Sequence, residues 1–345
     1  RLRLVENRFA FLAPVFSGNS TSVSASINSD PAAVAVQYML ELPRWFVASD
    51  SAISKVLSFA ASPTTDATRC HLEYDSAGAY VSGSLNQPLQ VPFTLSAAVD
   101  CFEATNFTAD GVSGELISAA VADIRTGKNI LFVETATGGE FVGFESAAVG
   151  PTQTVFASIK RGLFDTVPQQ WASGARVWIL KYACTLNVLF DDAETVKLKH
   201  RTITARGTLS TGSATEYTHT INSRALLPAA PGYLKVNGSY EPASLSGDTV
   251  ITWNHRDRED SVLRFHHETS AVSLPAGVTY TLKFYNQSSV LLRTVSGITA
   301  ETYTYTAATE SADNGGSPVT SLRIDLLATS AAGDSYQTHT RTFAR

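Results

Sequence analysis

Val278-Thr-Tyr-Thr-Leu-Lys-Phe-Tyr285 alternates apolar and polar residues with a period of two. Only an extended chain puts every second side chain on one face, so this stretch reads as a β-strand with Val278, Tyr280, Leu282 and Phe284 on its buried side. The same signal recurs in Thr302-Tyr-Thr-Tyr-Thr306, Thr249-Val-Ile-Thr-Trp253 and Leu322-Arg-Ile-Asp-Leu-Leu327. Gly, Asn, Asp and Pro punctuate these runs, as tight turns require.

Seven short strands are expected after the connector Arg224-Ala-Leu-Leu-Pro-Ala-Ala-Pro-Gly232: Tyr233–Asn237, Thr249–Trp253, Val278–Tyr285, Val290–Val295, Thr302–Thr306, Leu322–Thr329 and Tyr336–Phe343. That number and spacing match an immunoglobulin-like β-sandwich. The segment holds no cysteine, so Trp253, with Tyr303 or Tyr305, is expected to fill the core. A proline-rich entry, an early Trp and no disulfide resemble a fibronectin type III module. The connector itself reads as a stiff spacer between domains.

Before the connector, strands are expected at Phe93–Val99, Asn129–Glu134, Glu140–Glu145, Val155–Lys160, Arg176–Lys181 and Thr195–His200. Helical pattern is scarce. Ser29 to Glu41 is the best candidate, with Asp30 as cap and Pro31 in the first helical position. Thr166 to Ala172 is expected to form one short turn. The chain is therefore read as mainly β, with a β-rich subdomain over 1–90, a second β-rich domain over 91–225 and the sandwich over 226–345.

Composition narrows the function. The chain has 345 residues, enough for two or three cores. Hydrophobic residues at 44% fit a globular protein, and charged residues at only 17% leave room for abundant Ser and Thr, a balance of β-sandwiches and extracellular or virion proteins. A net charge of −5 without a basic stripe argues against nucleic acid as partner. No apolar run approaches the ~18 residues of a membrane helix. The chain begins at Arg1, which reads as a processed product or a fragment. Cys70, Cys101 and Cys184 have no C-x-x-C spacing and read as buried free thiols, with one disulfide as the alternative.

No phosphate loop, dinucleotide fingerprint, nucleophile elbow or H-E-x-x-H motif occurs. His266 and His267 read as surface residues, and His200, His219 and His339 as a solvated face. His71, near Asp66 and Glu73, lacks the further ligands a metal needs. Asp191-Asp192 and the run Asn254 to Asp260 read as charged loops, not as the paired carboxylates of a glycosidase. No catalytic residue, cofactor or metal is therefore expected.

One segment carries a resemblance. Gly139-Glu-Phe-Val-Gly-Phe-Glu145 is followed by Val155-Phe-Ala-Ser-Ile-Lys-Arg-Gly-Leu-Phe-Asp-Thr-Val-Pro168 and by Trp171-Ala-Ser-Gly-Ala-Arg-Val-Trp178. It resembles the C-terminal part of bacteriophage tail-tip hub proteins, including those of gene transfer agents and the lambda-like host-specificity proteins. The matching residues are Glu140, Phe144, Glu145, Arg161, Gly162, Asp165, Thr166, Gly174, Ala175 and Arg176. The connector at 224–232 resembles that family's link to a fibronectin-like module, and Glu41-Leu-Pro-Arg44 an upstream element. Physically, Gly162 and Gly174 suit tight turns, Arg161 and Asp165 are expected to bridge a loop, and Thr166 to cap the turn after it.

The resemblance implies a structural protein of the virion, at the tail tip or baseplate, joining the tail to fibres or receptor-binding parts during host attachment. It implies a homotrimer around the tail axis, with distal tail, fibre or receptor-binding proteins as partners and contact with a host cell-surface receptor. Residues 1–225 are expected to form the threefold interface, and the last module to move across its proline-rich hinge. Two other readings stand beside it. A receptor- or carbohydrate-binding module would present Tyr240 and Tyr336 to sugars, and glycan binding would reveal it. A secreted enzyme with an accessory fibronectin-like domain would need a cleft with paired carboxylates.

Overall fold

The computed structural model describes residues 29–47, 54–99, 104–111, 116–186, 188–258, 265–266, 268 and 272–345. They form a mainly β protein of several antiparallel sheets. The strands before the connector are β1 (Gln37–Glu41), β2 (Val56–Ala60), β3 (Arg69–Ser76), β4 (Ala79–Pro88), β5 (Phe93–Leu95), β6 (Asn106–Asp110), β7 (Ile130–Val133), β8 (Glu140–Gly143), β9 (Ser146–Val149), β10 (Gln153–Ala157), β11 (Arg176–Ile179), β12 (Cys184–Thr185), β13 (Thr195–Thr204), β14 (Gly207–Thr208) and β15 (Glu216–Thr220).

Strands β5 to β11 make one sheet in the order β8-β7-β11-β5-β6-β10-β9. Its two edge strands, β8 and β9, are consecutive in the chain, and the run between them is tied to the end of β10. Gly143 and Lys160 exchange backbone hydrogen bonds of 2.9 and 2.8 Å, and Glu145 N donates to Ala157 O at 3.2 Å. The sheet thus wraps round one interior, filled by Phe93, Phe107, Val142, Phe156, Trp171 and Val177 among others. On β7, β8 and β11 the outer face is buried too. Phe132, Phe141 and Trp178 point away from that interior and pack with Phe59 and Leu57 of β2. Strands buried on both faces read as continuous apolar runs, which is why Ile130-Leu-Phe-Val133 shows no alternation.

The small sheet β1-β2-β12 lies between two cores. Leu57 and Phe59 face the closed sheet, while Val56 and Ala60 face a third core shared with Cys70, Leu72, Leu198 and Ile221. That third core is roofed by the sheet β14-β13-β3-β4, with β15 beside β13. The expected boundary near residue 90 falls at the passage from β4 to β5. After Ile179 the chain returns to the first body, where β12 pairs with β2 and β13 with β3. Residues before 90 and after 184 therefore share sheets and a core, and the closed sheet is inserted between them.

The expected helix from Ser29 to Glu41 does not form. Its second half is β1, paired residue for residue with β2 from Gln37↔Ala60 to Glu41↔Val56. An edge partner outweighed weak helical periodicity, because both strands gain two apolar faces to pack against. The expected turn at 166–172 is likewise extended chain. One short helix, α1 (Val121–Ile124), stands before β7.

After the connector come β16 (Gly232–Val236), β17 (Thr249–Asn254), β18 (Thr279–Tyr285), β19 (Leu291–Ile298), β20 (Thr302–Tyr305), β21 (Ser321–Ser330), β22 (Gly333–Asp334) and β23 (His339–Ala344). Sheet β16-β17-β20 faces sheet β19-β18-β21, whose β21 also pairs β23. This is the strand arrangement of a fibronectin-type sandwich, and every expected strand is present. Trp253 is 2% exposed and meets Tyr280 edge-on at 5.5 Å, while Phe284 stacks on Tyr305 at 4.1 Å across the sheets. The helix α2 (Ala307–Asp313), which alternation did not foretell, is capped by Thr306, whose side chain accepts from Thr309 N.

Candidate functional site: a charged junction

The residues that carry the family resemblance converge under the loop that leaves β10. Glu140, the first residue of β8, is fully buried, and so is Arg161. They pair in the fork geometry, Nε to Oε1 at 2.7 Å and Nη2 to Oε2 at 2.8 Å. The Glu140 carboxylate also accepts from Gly162 N at 2.9 Å, Gln169 N at 3.0 Å and Trp171 Nε1 at 2.8 Å. The Arg161 guanidinium lies 3.9 Å over the Trp171 ring and donates to Gln169 O at 2.6 Å. A buried carboxylate is tolerated when its lone pairs are filled. Here they are, so Glu140 organises the loop from Arg161 to Trp171.

The expected bridge between Arg161 and Asp165 is not made. Asp165 pairs instead with Arg224 of the connector, at 2.7 and 2.6 Å. Arg224 is buried, donates to Glu41 O at 3.1 Å and lies 3.6 Å from the Tyr336 ring centre. Burial opposes its charge, but Asp165 beside it outweighs this and holds the guanidinium above its ordinary range. Thr166 caps no helix. Its hydroxyl donates to Leu163 O at 2.7 Å and accepts from Phe141 N at 3.2 Å, stitching the loop to β8. Gly162 has φ +59°, and an added Cβ would lie 2.7 Å from Pro168 Cδ, so conformation and space both demand glycine.

The sandwich grips the same loop from the other side. Arg256 is buried and donates to the carbonyls of Gly162, Phe164 and Thr166. Burial draws its pKa down to about 10, which leaves it charged at neutral pH. Gln337 accepts from Val167 N at 2.9 Å and donates to Gly139 O at 2.6 Å. His266 meets His339, Nε2 to Nε2, at 2.7 Å, and Tyr240 Oη at 3.2 Å. The connector is part of this packing, since Pro228 to Gly232 are all buried. The expected mobile hinge is therefore a docked segment. Two prolines here shape a buried path, not an exposed spacer.

Other motif residues lie elsewhere. Phe144 fills the closed sheet, Glu145 pairs with Lys160 at 2.8 Å, Gly174 takes φ +80° in an open turn, and Arg176 pairs with Glu134 at 3.1 Å. Three histidines depart from the solvated reading. His266, His200 and His339 are each at most 1% exposed. His200 bridges Ser58 Oγ at 2.9 Å and Gln37 Oε1 at 2.8 Å, and burial lowers its pKa to about 4. His267, Cys101 and Asp260 lie outside the described residues. In the Asn254–Asp260 run, His255 and Arg256 are buried while Asp257 is exposed.

Local sequence pattern does not mark Arg224, Arg256 and Gln337 as partners of the motif. The signal available was an arginine inside an apolar, proline-rich connector, which needs a buried counter-charge if the connector packs.

No family model matches the chain, and no curated protein does. Among solved structures, the FN1–FN3 domains of chicken CNTN1 are 9% identical, with a TM-score of 0.19 over 92% of this chain and all of that one. The BSP domain of a biofilm associated protein is 10% identical, with a TM-score of 0.20, covering 92% of this chain and 52% of that one. Dimeric latent PorU from Porphyromonas gingivalis is 8% identical, with a TM-score of 0.21, covering 90% of this chain and 28% of that one. The likeness is distant and has no bearing on activity.

Proposed function

We propose that this chain is a structural component of a bacteriophage tail tip or baseplate, joining the tail to fibres or receptor-binding parts. One observation carries the reading. The residues that resemble tail-hub proteins, Glu140, Arg161, Gly162, Asp165 and Thr166, are the ones that lock the closed sheet, the connector and the sandwich together. A part that transmits force between a tail and its appendages needs domains held at a fixed angle, and buried bidentate pairs supply geometric definition. On this reading three copies surround the tail axis, with residues 1–225 forming the interface.

The carbohydrate-binding alternative gains little from the two tyrosines that suggested it. Tyr240 is 4% exposed, and Tyr336 is packed on Arg224. Electron microscopy of the virion tests the proposal. Density for this chain at the tail tip, in three copies, is the expected result. Density in the capsid or along the whole tube would overturn it, as would a purified protein that stays monomeric and binds no other tail component.

A further inference from the structure

Cys70 lies on β3 and Cys184 on β12, in different sheets and 114 positions apart. Both are buried without solvent exposure, and their sulfurs are 3.9 Å apart. Their surroundings are apolar, with Val56, Ala60, Leu72 and Leu186 in the same core. The Cys184 thiol donates to Pro88 O at 3.3 Å. A disulfide needs sulfurs about 2.05 Å apart, so the gap to close is about 2 Å.

The location gives the pair a consequence. Cys70 and Cys184 stand on either side of the segment that forms the closed sheet, one before it and one after it. A bond between them would tie the two ends of that insertion together and join the sheet β14-β13-β3-β4 to the sheet β1-β2-β12. Closing so long a loop restricts the unfolded chain strongly and the folded chain hardly at all.

We propose that Cys70 and Cys184 are a disulfide site, and that its oxidation staples the inserted closed sheet to the body that carries it. The oxidant is a small-molecule disulfide such as oxidised glutathione. One cysteine thiolate attacks it and expels a glutathione thiolate. The second cysteine then displaces the other glutathione from the mixed disulfide. Each protein thiol gives up its proton, the pair loses two electrons, and two glutathiones are released reduced. The hydrogen bond with Cys70 and burial both raise the Cys184 thiol above its ordinary range, so the reaction is slow in the closed fold and quickens as pH rises or the strands open.

The test uses the full chain, reduced and then incubated with oxidised glutathione over a range of pH. Remaining thiols are blocked with N-ethylmaleimide and the protein is mapped by mass spectrometry without reduction. The expected product is a single cross-linked peptide pair containing Cys70 and Cys184, two hydrogens lighter than the sum of its parts, with Cys101 alkylated. A Cys101→Ser chain should form the same link and unfold several degrees higher when oxidised than when reduced. Cys70→Ser and Cys184→Ser chains should show no such difference. Three alkylated thiols after prolonged oxidation would overturn the proposal. So would stable mixed glutathione disulfides at both positions, a link through Cys101, or a cross-link that leaves the unfolding temperature unchanged.

Discussion

Between the sheets of the sandwich, Trp253, Tyr280, Phe284 and Tyr305 meet in an apolar cluster, from which the Tyr305 hydroxyl donates to Asp313 at 2.8 Å. At the junction a few residues away in the fold, Glu140, Arg161, Asp165, Arg224 and Arg256 are buried together. The two regions are equally dry but are held by different forces. Area removed from water stabilises the first, and it tolerates exchange among apolar side chains of similar volume. The second depends on each charge finding its partner, so it is intolerant of single losses yet fixes an angle between domains that apolar contact alone would leave loosely defined.

The sharpest way to separate the two is Glu140→Ala. It leaves Arg161 charged and buried and strips the acceptor from Gly162 N, Gln169 N and Trp171 Nε1. The expected cost is about 3–5 kcal/mol or more in a denaturant titration. A loss under about 1 kcal/mol, the size of an ordinary surface change, would show that the junction is not held by this pair. In the sandwich, Trp253→Ala should cost about 3–5 kcal/mol through loss of a large buried ring. Trp253→Phe should recover most of that, since Trp253 Nε1 has no hydrogen-bond partner to lose among the described residues.

A third contrast uses pH. His200 is neutral in the folded body because burial lowers its pKa from 6.5 to about 4. Below about 6.5 the unfolded chain takes up a proton that the folded chain refuses, so stability falls as pH drops and stops falling below about 4. The loss amounts to roughly 3 kcal/mol at most. A His200→Gln chain should show a flatter stability curve over that interval. An unchanged slope would mean that other groups carry the acid sensitivity.

The sandwich alone, residues 228–345, should unfold cooperatively with a β circular-dichroism spectrum, since its core closes without the rest of the chain. Its midpoint should lie below that of the same domain in the full protein, because Arg256 and Gln337 lose the loop they grip. Equal midpoints would mean the junction adds nothing to the sandwich. The smallest effect is expected from Arg176→Ala, whose partly exposed pair with Glu134 should be worth less than about 1 kcal/mol by the same titration.

All these regions were not equally legible in the sequence. Sandwich strands such as β16, β17 and β23 were readable because each has one wet face, so burial writes itself as alternation. In the body, β2 and β7 are buried on both faces, and β1 borrows its structure from a partner fifteen or more positions away. Alternation vanishes in such strands, and the Ser29–Glu41 segment was misread as helix for that reason. The buried histidines do not show as such in the sequence, because polar neighbours along the chain are not polar neighbours in space.

The β class, the sandwich after residue 226 and the burial of Trp253 follow from residue order over a few positions. Local sequence also places Glu140, Arg161 and Asp165 in one motif and Arg224 in the connector, but not who pairs with whom. That Arg161 takes Glu140, that Asp165 takes Arg224, that the proline-rich connector is packed, and that Cys70 faces Cys184 is set by the three-dimensional fold. Each of these is a contact between segments far apart in the chain. Opposite charges and matching shapes permit many such pairings, and only the closed arrangement of sheets brings one set within bonding distance.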